Sequence, residues 1–319
     1  MSVFTTLNLE EVRAWLRDFA IGEIIDLRGI AAGITNTNYF VMTKNDRLEH
    51  SRYVLTIFEK NHLEELPYFV DLMTHLTKHG VPCPTPIADK NGLALHVLKG
   101  KPALVVSCLK GCDTETPSIA QCTQVAKTLA KMHIAGRDFV KKSHNQRGID
   151  WRDATAEQVM LKLSAQEQSL LQTELNFQAE FEAGLNMADL PHGVIHGDLF
   201  RDNVLFAGEQ MGGFIDFYYA CDDNLAYDVA IAVNDWCVLA DGSFDAEKLK
   251  AFLSAYQALR PFTPAEYLSW HTMLRRAALR FWLSRLFDFY YPAEGELTHA
   301  KDPNHFKHIL QQRILQQRI

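Results

Sequence analysis

The sequence predicts an α+β fold of two lobes, in which a small antiparallel-sheet lobe precedes a larger and mainly helical one. Three observations support this prediction: strand-type apolar runs dominate up to residue 107, helical periodicity takes over from Thr116, and a hairpin signal interrupts the helices at 204–217. The length of 319 residues and the hydrophobic content of 47% allow one large core or two modest ones. We therefore expect lobes at 1–107 and 108–319.

The overall charge and hydropathy argue against several functional classes. A net charge of −7, from 32 basic and 39 acidic residues, is not that of a general nucleic-acid binder. No apolar run approaches the length of a membrane span, and the first residues lack the basic segment and apolar core of a secretory signal. The six cysteines form no C-x-x-C pair, so we expect reduced thiols in a cytoplasmic protein. The sequence has no signal of oligomeric state.

The first lobe is expected to begin with a helix at 8–19, where Asn8 and Glu11 have the spacing of a capping box. A strand, a small-residue loop and a second strand follow over 24–41. This loop could bring backbone N–H groups close to phosphates, although an ordinary hairpin with a glycine turn fits the same pattern. The candidate phosphate-binding residues are Gly33, Thr35, Asn36, Thr37 and Asn38.

The rest of the first lobe alternates between strands and one helix. A strand is predicted at 53–59, and a helix at 62–79 ends at Gly80 before a proline-rich stretch. Two more strands are predicted near 93–98 and 102–108. Together with the strands of 24–41, these runs predict the sheet of the first lobe.

The second lobe is predicted to be a set of helices around one hairpin. Thr116 and Pro117 begin a helix that continues to Gly136 and contains His133, which we interpret as a packed histidine. The basic loop at 141–148 should face solvent, and the aromatic run after it could line a pocket. Further helices are expected at 165–187, 226–236, 245–259, 264–290 and 303–317.

Most of the chemistry is expected in one stretch, which reads His196-Gly197-Asp198-Leu199-Phe200-Arg201-Asp202-Asn203 and is followed downstream by Phe214-Ile215-Asp216-Phe217. A glycine-rich connection separates two apolar runs, so two short strands should pair. Asp198 and Asn203 would lie in the loop before the first strand, and Asp216 at the far end of the second. The two carboxylates and the carboxamide should therefore converge.

These three side chains suit phosphoryl transfer. Such a site needs a carboxylate that accepts the proton of an attacking hydroxyl, and oxygen ligands that hold Mg²⁺ against the nucleotide phosphates. We assign the base to Asp198 and the metal ligands to Asn203 and Asp216. The alternative is a turn rich in Asp and Asn that only caps a hairpin, and the complete ordered set disfavours it.

The run H-G-D-x-x-x-x-N with I-D-F downstream resembles the catalytic loop of the aminoglycoside phosphotransferase and choline kinase superfamily, relatives of the protein kinases. The fuller wording H-G-D-L-F-R-D-N-V-L-F, with G-F-I-D-F-Y-Y-A and the earlier G-I-T-N-T-N-Y-F, resembles the bacterial homoserine kinases of that superfamily. The resemblance implies a two-lobe protein-kinase-like fold that binds ATP and Mg²⁺ between its lobes. It also implies phosphorylation of L-homoserine to O-phospho-L-homoserine, a step of threonine biosynthesis.

The resemblance further implies roles for residues outside the motif. Residues 1–107 would form the nucleotide-binding lobe, and backbone groups near Ser107 and Leu109, at the hinge between lobes, would bond the adenine edge. His196 and Asp228 would support the catalytic loop.

Three residues are candidates for the substrate side, namely Trp236, Arg276 and Arg280. The two arginines are four residues apart on one helix and share a face. The planar fork of arginine suits the carboxylate that a homoserine kinase must hold. Arginines among aromatic residues are also common on ion-paired helix surfaces.

One position departs from the family pattern, because Thr56 stands where protein kinases have their phosphate-anchoring lysine. Lys44 and Lys60 are nearby candidates, or the phosphate charge rests on Mg²⁺ and loop amides. Two alternative functions stay open. One is a kinase for another small alcohol such as choline, methylthioribose or an aminoglycoside, and the other is a non-catalytic nucleotide-binding protein, which the missing lysine suggests.

Overall fold

The computed structural model describes residues 4–30, 36–61, 63–184, 189–292 and 301–316. The chain divides into two compact units, Met1–Gly111 with Gly212–Ile215 and Cys112–Met211 with Asp216–Ile319. An antiparallel sheet dominates the first unit, and the second is mainly helical. The predicted α+β class is therefore confirmed.

The first unit is built on one five-stranded sheet. Its elements within the described residues are helix α1 (Leu9–Trp15), strands β1 (Glu23–Ile30), β2 (Thr37–Lys44) and β3 (His50–Ile57), helix α2 (Leu66–Lys78), and strands β4 (Leu95–Leu98) and β5 (Lys101–Ser107). The strand order is β1-β2-β3-β5-β4, and every neighbouring pair is antiparallel. Thr37 lies opposite Ile57 and Lys44 opposite His50, so these two pairs mark opposite ends of the sheet.

The core of the first unit follows from the alternation of apolar residues along its strands. Val41, Leu55 and Ile57 are fully buried in the cluster that α1 covers with Val12. The predicted capping box is present at the start of α1. The Glu11 backbone N–H donates to Asn8 Oδ1 at 2.9 Å, and the Asn8 N–H donates to Glu11 Oε2 at 3.0 Å.

The second unit consists of helices with a few short strands. Its helices are α3 (Ile119–Ala135), α4 (Ile149–Met160), α5 (Ala165–Gly184), α6 (Leu225–Trp236), α7 (Ala246–Gln257), α8 (Pro264–Tyr290) and α9 (Pro303–Leu315). Strands β6 (His192–Ile195) and β9 (Cys221–Asn224) pair with each other. The predicted hairpin is formed by β7 (Val204–Ala207) and β8 (Gln210–Phe214).

Two helices organise the second unit. Every residue of α6 is buried, as its near-continuous apolar sequence requires. Helix α8 runs for 27 residues and begins at a capping box. There the Thr263 N–H donates to Glu266 Oε2 at 2.8 Å, and the Glu266 N–H donates to Thr263 Oγ1 at 3.2 Å. The predicted bounds of α8, residues 264–290, match those in the structure.

Some elements differ from the prediction. Helix α2 begins at Leu66 rather than near residue 62. Residue 62 lies outside the described residues, and so do the last positions predicted for α5. Helix α4 was not predicted, because the face it buries includes Arg152 and Thr155 and so lacks an apolar stripe. Strand β9 was not predicted either, because three of its four residues are polar.

All six cysteines are free thiols, and four of them are buried. Among the described helices, none combines the length and the apolar character that crossing a bilayer requires.

Candidate active site

The stretch 196–203 forms the loop between β6 and β7. Gly197 has a φ of 74°, and a β-carbon on it would lie 2.7 Å from the carbonyl oxygen of Tyr219. Backbone conformation and close packing therefore both require glycine at this position. A 3₁₀ turn at Arg201–Asn203 then leads into β7. This local geometry places Asp198 and Asn203 on the same loop, next to the segment that follows Asp216.

Asn203 and Arg280 hold the carboxylate of Asp198. Asn203 Nδ2 donates to the Asp198 backbone oxygen at 2.8 Å and to its Oδ2 at 3.2 Å. Arg280 Nη1 lies 3.4 Å from Asp198 Oδ1. Burial raises the pKa of Asp198, and the Arg280 guanidinium opposes that shift. A carboxylate with a raised pKa, held in place on two sides, is suited to accept a proton.

Asp216 lies directly after the hairpin in the left-handed region, with φ 62° and ψ 62°, where residues with side chains are uncommon. The Tyr218 backbone bonds its carboxylate. The residue as a whole is exposed, yet burial around its carboxyl raises its pKa to about 7, and the nearby Asp198 carboxylate adds to this shift. The structure thus brings Asp198, Asn203 and Asp216 into one electrostatic site.

The donors of this site fit a divalent cation. Asn203 turns its amide nitrogen toward Asp198, which leaves its carbonyl oxygen for a ligand, and Asp216 adds a carboxylate. The repulsion between the two acids would be relieved by a bound dication. No group of three or more His, Cys, Asp or Glu side chains suited to a metal occurs in the described part of the chain. A cation here would use two protein ligands together with phosphate oxygens, as Mg²⁺ often does.

Asp228, in the first turn of α6, bonds the backbone of the loop that carries Asp198. It is fully buried, and its carboxylate accepts the backbone N–H groups of His196 at 2.8 Å and Gly197 at 2.9 Å. The side chain of His133 on α3 also bonds it, with Nε2 at 3.0 Å from Asp228 Oδ2. The carboxylate therefore fixes the bend of the chain immediately before Asp198.

The hydrogen bonds continue from His133 into the interior. Tyr256 Oη lies 2.6 Å from His133 Nδ1, and Arg260 Nη1 donates to the same Oη at 3.2 Å. Arg260 Nη2 in turn donates to Glu266 Oε1 at 2.8 Å. Burial lowers the pKa of His133, so the ring is neutral, with Nε2–H donating to Asp228 and Nδ1 accepting from Tyr256. We call the five side chains Asp228, His133, Tyr256, Arg260 and Glu266 the buried relay.

The three substrate-side candidates occupy different environments. Arg280 contacts Asp198, and its Nε is buried without a hydrogen-bond partner in the described residues. Arg276 is held by Asp223, with Nη2 2.9 Å from Oδ2. Trp236 is 1% exposed, and its Nε1 donates to the Leu199 carbonyl at 3.1 Å. The structure therefore brings Arg280 to the Asp198 carboxylate and places Trp236 in the core.

In the first unit, Thr56 lies directly opposite Asn38. Its hydroxyl donates to Asn38 Oδ1 at 2.7 Å, so the position of the expected lysine is filled by a neutral pair. Asn36 and Thr37 lead into β2, and Thr37 Oγ1 accepts the backbone N–H groups of Phe4 and Thr5. The predictions for Gly33 and Thr35 fall outside the described residues.

A lysine that the sequence analysis did not consider lies near this end of the sheet. Lys101, the first residue of β5, forms an ion pair with Glu59 and donates to Thr5 Oγ1 at 2.9 Å. Glu59 also accepts the hydroxyl of Thr37 at 2.6 Å. Lys44 lies at the opposite end of β2.

The residues expected at the hinge have partners within the first unit. The Ser107 backbone N–H donates to the Thr85 carbonyl at 2.9 Å, and its hydroxyl accepts the Thr85 N–H at 2.9 Å. Leu109 lies close to Gly213, where a β-carbon would come within 2.9 Å of its side chain.

A cluster of Arg147, Trp151 and Tyr219 was not predicted. Arg147 belongs to the loop that was expected to face solvent, yet it is half-buried, and its guanidinium lies 4.6 Å from the ring centroid of Trp151. Tyr219 lies 5.9 Å from the same guanidinium. Arg147 lies in the turn just before α4, and Trp151 lies in the first turn of that helix, so the pairing depends on a turn that the spacing of the two residues did not reveal.

The chain is similar in sequence and in fold to known phosphotransferases. The APH model, described as a phosphotransferase enzyme family, matches residues 26–262. A homoserine kinase of Methylobacillus flagellatus is 53% identical over 314 residues, which cover 98% of this chain and 96% of the relative. A homoserine kinase of Cupriavidus necator is 45% identical over 320 residues, with coverages of 98% and 96%.

Solved structures show the same fold. An amicoumacin kinase, hAmiN, in complex with AMP-PNP, Ca²⁺ and Ami, has a TM-score of 0.71 at 13% identity, covering 96% of this chain and 94% of that one. A choline kinase from Cryptosporidium parvum has a TM-score of 0.67 at 19% identity, covering 96% of each chain. At these identities the likeness concerns architecture, and the predicted kinase-like fold is confirmed.

Proposed function

The chain belongs to the phosphotransferase enzyme family, and we propose that it transfers the γ-phosphoryl group of ATP to the hydroxyl of L-homoserine. The product would be O-phospho-L-homoserine, in threonine biosynthesis. The observation that carries the choice of acceptor is the 53% identity to a homoserine kinase over 98% of the chain. Because the family consists of enzymes, the non-catalytic alternative is set aside.

Asp198 would act as the general base. Its Oδ2 is held by Asn203 at 3.2 Å, and its Oδ1 faces Arg280 at 3.4 Å, so the carboxylate has a fixed orientation. It would accept the proton of the substrate hydroxyl as the oxygen attacks phosphorus. Arg280, next to the base, would face the charge that develops at the reacting group.

Asn203 and Asp216 would hold Mg²⁺ through one carbonyl and one carboxylate oxygen. When bound, the ion would neutralise charge on the transferring phosphoryl group. Asp228 and His196 would support this arrangement, since the Asp228 carboxylate accepts the His196 N–H at 2.8 Å.

Residues 1–107 would form the nucleotide-binding lobe. The segment around Gly33 and Thr35, with Asn36 and Asn38, would approach the phosphates with backbone N–H groups and short polar side chains. The expectation for Thr37 is not kept, because the residue is fully buried and its hydroxyl bonds Phe4, Thr5 and Glu59. Backbone groups near Ser107 and Leu109 would bond the adenine. With the pair of Thr56 and Asn38 in the position of the lysine, the phosphate charge would rest on Mg²⁺ and loop amides.

A substrate panel tests the acceptor. L-homoserine, choline, methylthioribose and an aminoglycoside are compared at equal concentration with ATP and Mg²⁺, and phosphoryl transfer is followed by ADP release. We expect the highest kcat/KM with L-homoserine, because the arginine beside Asp198 disfavours cationic acceptors. Turnover of choline or a sugar with none of L-homoserine would refute the proposal.

The metal assignment is tested with Asp216→Ala. The variant should need at least about tenfold more Mg²⁺ for half-maximal activity, since one of two protein ligands is lost. Asp222→Ala is the matched control, because that carboxylate pairs with Lys142 at 2.7 Å and has no proposed metal role. Superimposable Mg²⁺ titrations of Asp216→Ala and the wild type would exclude Asp216 as a ligand.

A further inference from the structure

We propose that Arg147, stacked on Trp151, binds the carboxylate group of the amino-acid substrate. This inference rests on the proposed function and adds a residue to it. It identifies a binding group that lies outside the catalytic motif and outside the helix where the substrate arginines were expected.

The arginines of α8 have partners already. Arg275 pairs with Glu174, with Nη2 2.6 Å from Oε2, and Arg276 pairs with Asp223 at 2.9 Å. Arg280 faces Asp198 at 3.4 Å. A substrate carboxylate bound by Arg275 or Arg276 would have to displace a buried protein carboxylate, at a cost of several kcal/mol when an ion pair is broken in the interior.

Arg147 differs because its charge has no counter-ion among the described residues. Throughout the described ranges, no carboxylate lies within 4.0 Å of its guanidinium. Its half-buried side chain instead lies over Trp151, 4.6 Å from the ring centroid. Stacking on an aromatic face orients the planar guanidinium and leaves its N–H edge free, which is the geometry for two parallel bonds to a carboxylate.

The backbone around Arg147 is fixed. Its N–H donates to Asn145 Oδ1 at 2.8 Å, and Asn145 Nδ2 donates to Asp223 Oδ2 at 2.6 Å. Asp223 is the buried partner of Arg276. The buried ion pair on α8 thus anchors the loop that presents Arg147, so little ordering would accompany substrate binding.

Arg147 lies where a substrate bound at Asp198 could reach it. The Tyr219 ring is near both arginines, with its centroid 5.9 Å from the Arg147 Cζ and 5.2 Å from the Arg280 Cζ. Arg280 reaches Asp198. In L-homoserine four bonds separate the hydroxyl oxygen from the carboxylate carbon, a span of about 5 Å. A substrate with its hydroxyl at Asp198 would extend along Tyr219 toward Arg147.

The test compares Arg147→Gln with the wild type on L-homoserine and on L-homoserine amide, in which the carboxylate is a neutral carboxamide. We expect KM for L-homoserine to rise about 10- to 100-fold, the range for one charged hydrogen-bonded contact, with kcat within about threefold. KM for the amide should change little. Arg137→Gln is the matched control, since Arg137 is exposed, and it should leave both KM values unchanged.

Other results of this experiment would overturn the role of Arg147. An equal rise of KM for both substrates, or no rise for either, would overturn the role of Arg147 while the proposed function stands. Failure of the wild type to phosphorylate L-homoserine would overturn both. If Arg147→Gln does not fold in a thermal melt, Arg147→Lys replaces it. That variant keeps the charge without the planar fork and should still raise KM for L-homoserine selectively.

Discussion

The proposed role of Asp198 as a base depends on its own carboxylate, which Asn203 and Arg280 hold in place. The change Asp198→Asn keeps the shape and removes the proton acceptor, so kcat should fall by about 10²- to 10⁴-fold. Asp202→Asn is the control in the same loop, because Asp202 is exposed and pairs with Lys301. Steady-state kinetics with L-homoserine should show Asp202→Asn within about twofold of the wild type, and an unchanged kcat for Asp198→Asn would remove the base assignment.

Residues that act locally could be found from their spacing alone, whereas Asp228, which bonds His196 from 32 residues away, was suggested only by the family resemblance. Asp198 and Asn203 lie five residues apart in an ordered motif, so their meeting is encoded in one loop. The partner of Arg276 is Asp223, 53 residues away, and that of Arg275 is Glu174, 101 residues away. Sequence spacing on α8 could therefore suggest a carboxylate site without showing which arginines were already paired.

At the scale of elements, the hairpin of β7 and β8 depends on Gly213. Its φ is 140°, and a β-carbon there would clash with the Pro82 carbonyl oxygen, which accepts the Phe214 N–H at 2.9 Å. Gly213→Ala should lower the free energy of unfolding by at least about 2 kcal/mol, because backbone strain and a backbone clash act together.

The control for that change is Gly208→Ala in the turn of the same hairpin. Gly208 has a φ of 63°, and no atom lies within 4 Å of its added β-carbon. Gly208→Ala should lower the free energy of unfolding only by the strain of the left-handed conformation, about 1 kcal/mol. Urea denaturation of both variants measures the difference, and equal losses would show that the contact with Pro82 contributes nothing.

The elements also show where sequence patterns suffice. The bounds of α8 were predictable because Thr263, Pro264 and Glu266 form a complete start signal and an apolar stripe follows. The buried face of α4 contains Arg152, whose Nη1 bonds Glu182 at 2.6 Å, so ion pairs take the place of an apolar stripe. Strand β9 pairs through its backbone with β6, which side-chain alternation could not reveal.

The pH dependence of stability is a property of the whole molecule. Unfolded histidine titrates near pH 6.5, and burial lowers the pKa of His133 in the folded protein. Below about pH 6.5 the unfolded chain therefore takes up a proton that the folded protein does not bind. The free energy of unfolding should fall as the pH drops, by up to about 1.4 kcal/mol per pH unit, and this contribution should be constant above pH 6.5.

The variant His133→Gln isolates this term. At pH 7.5 it should be less stable than the wild type by about 1–3 kcal/mol, because buried hydrogen bonds to Asp228 and Tyr256 are lost or weakened. The difference in the free energy of unfolding between the variant and the wild type should decrease as the pH falls to 5.5. Only the wild type has a buried histidine at position 133 whose unfolded form takes up a proton in this range. Other histidines cancel in the comparison, so a gap of constant size across this range would contradict a neutral His133.

Helix α8 is connected to the loop of residues 196–203 at two separate points. Glu266, in its first turn, is linked through the buried relay to the backbone of Gly197, and Arg280 reaches Asp198. These attachment points are about 21 Å apart along the helix axis. While both connections are intact, α8 can neither shift along its axis nor rotate about it relative to the loop. The base and the helix that faces it should therefore move as one rigid body, so motions that admit substrate would leave the spacing between Asp198 and α8 unchanged.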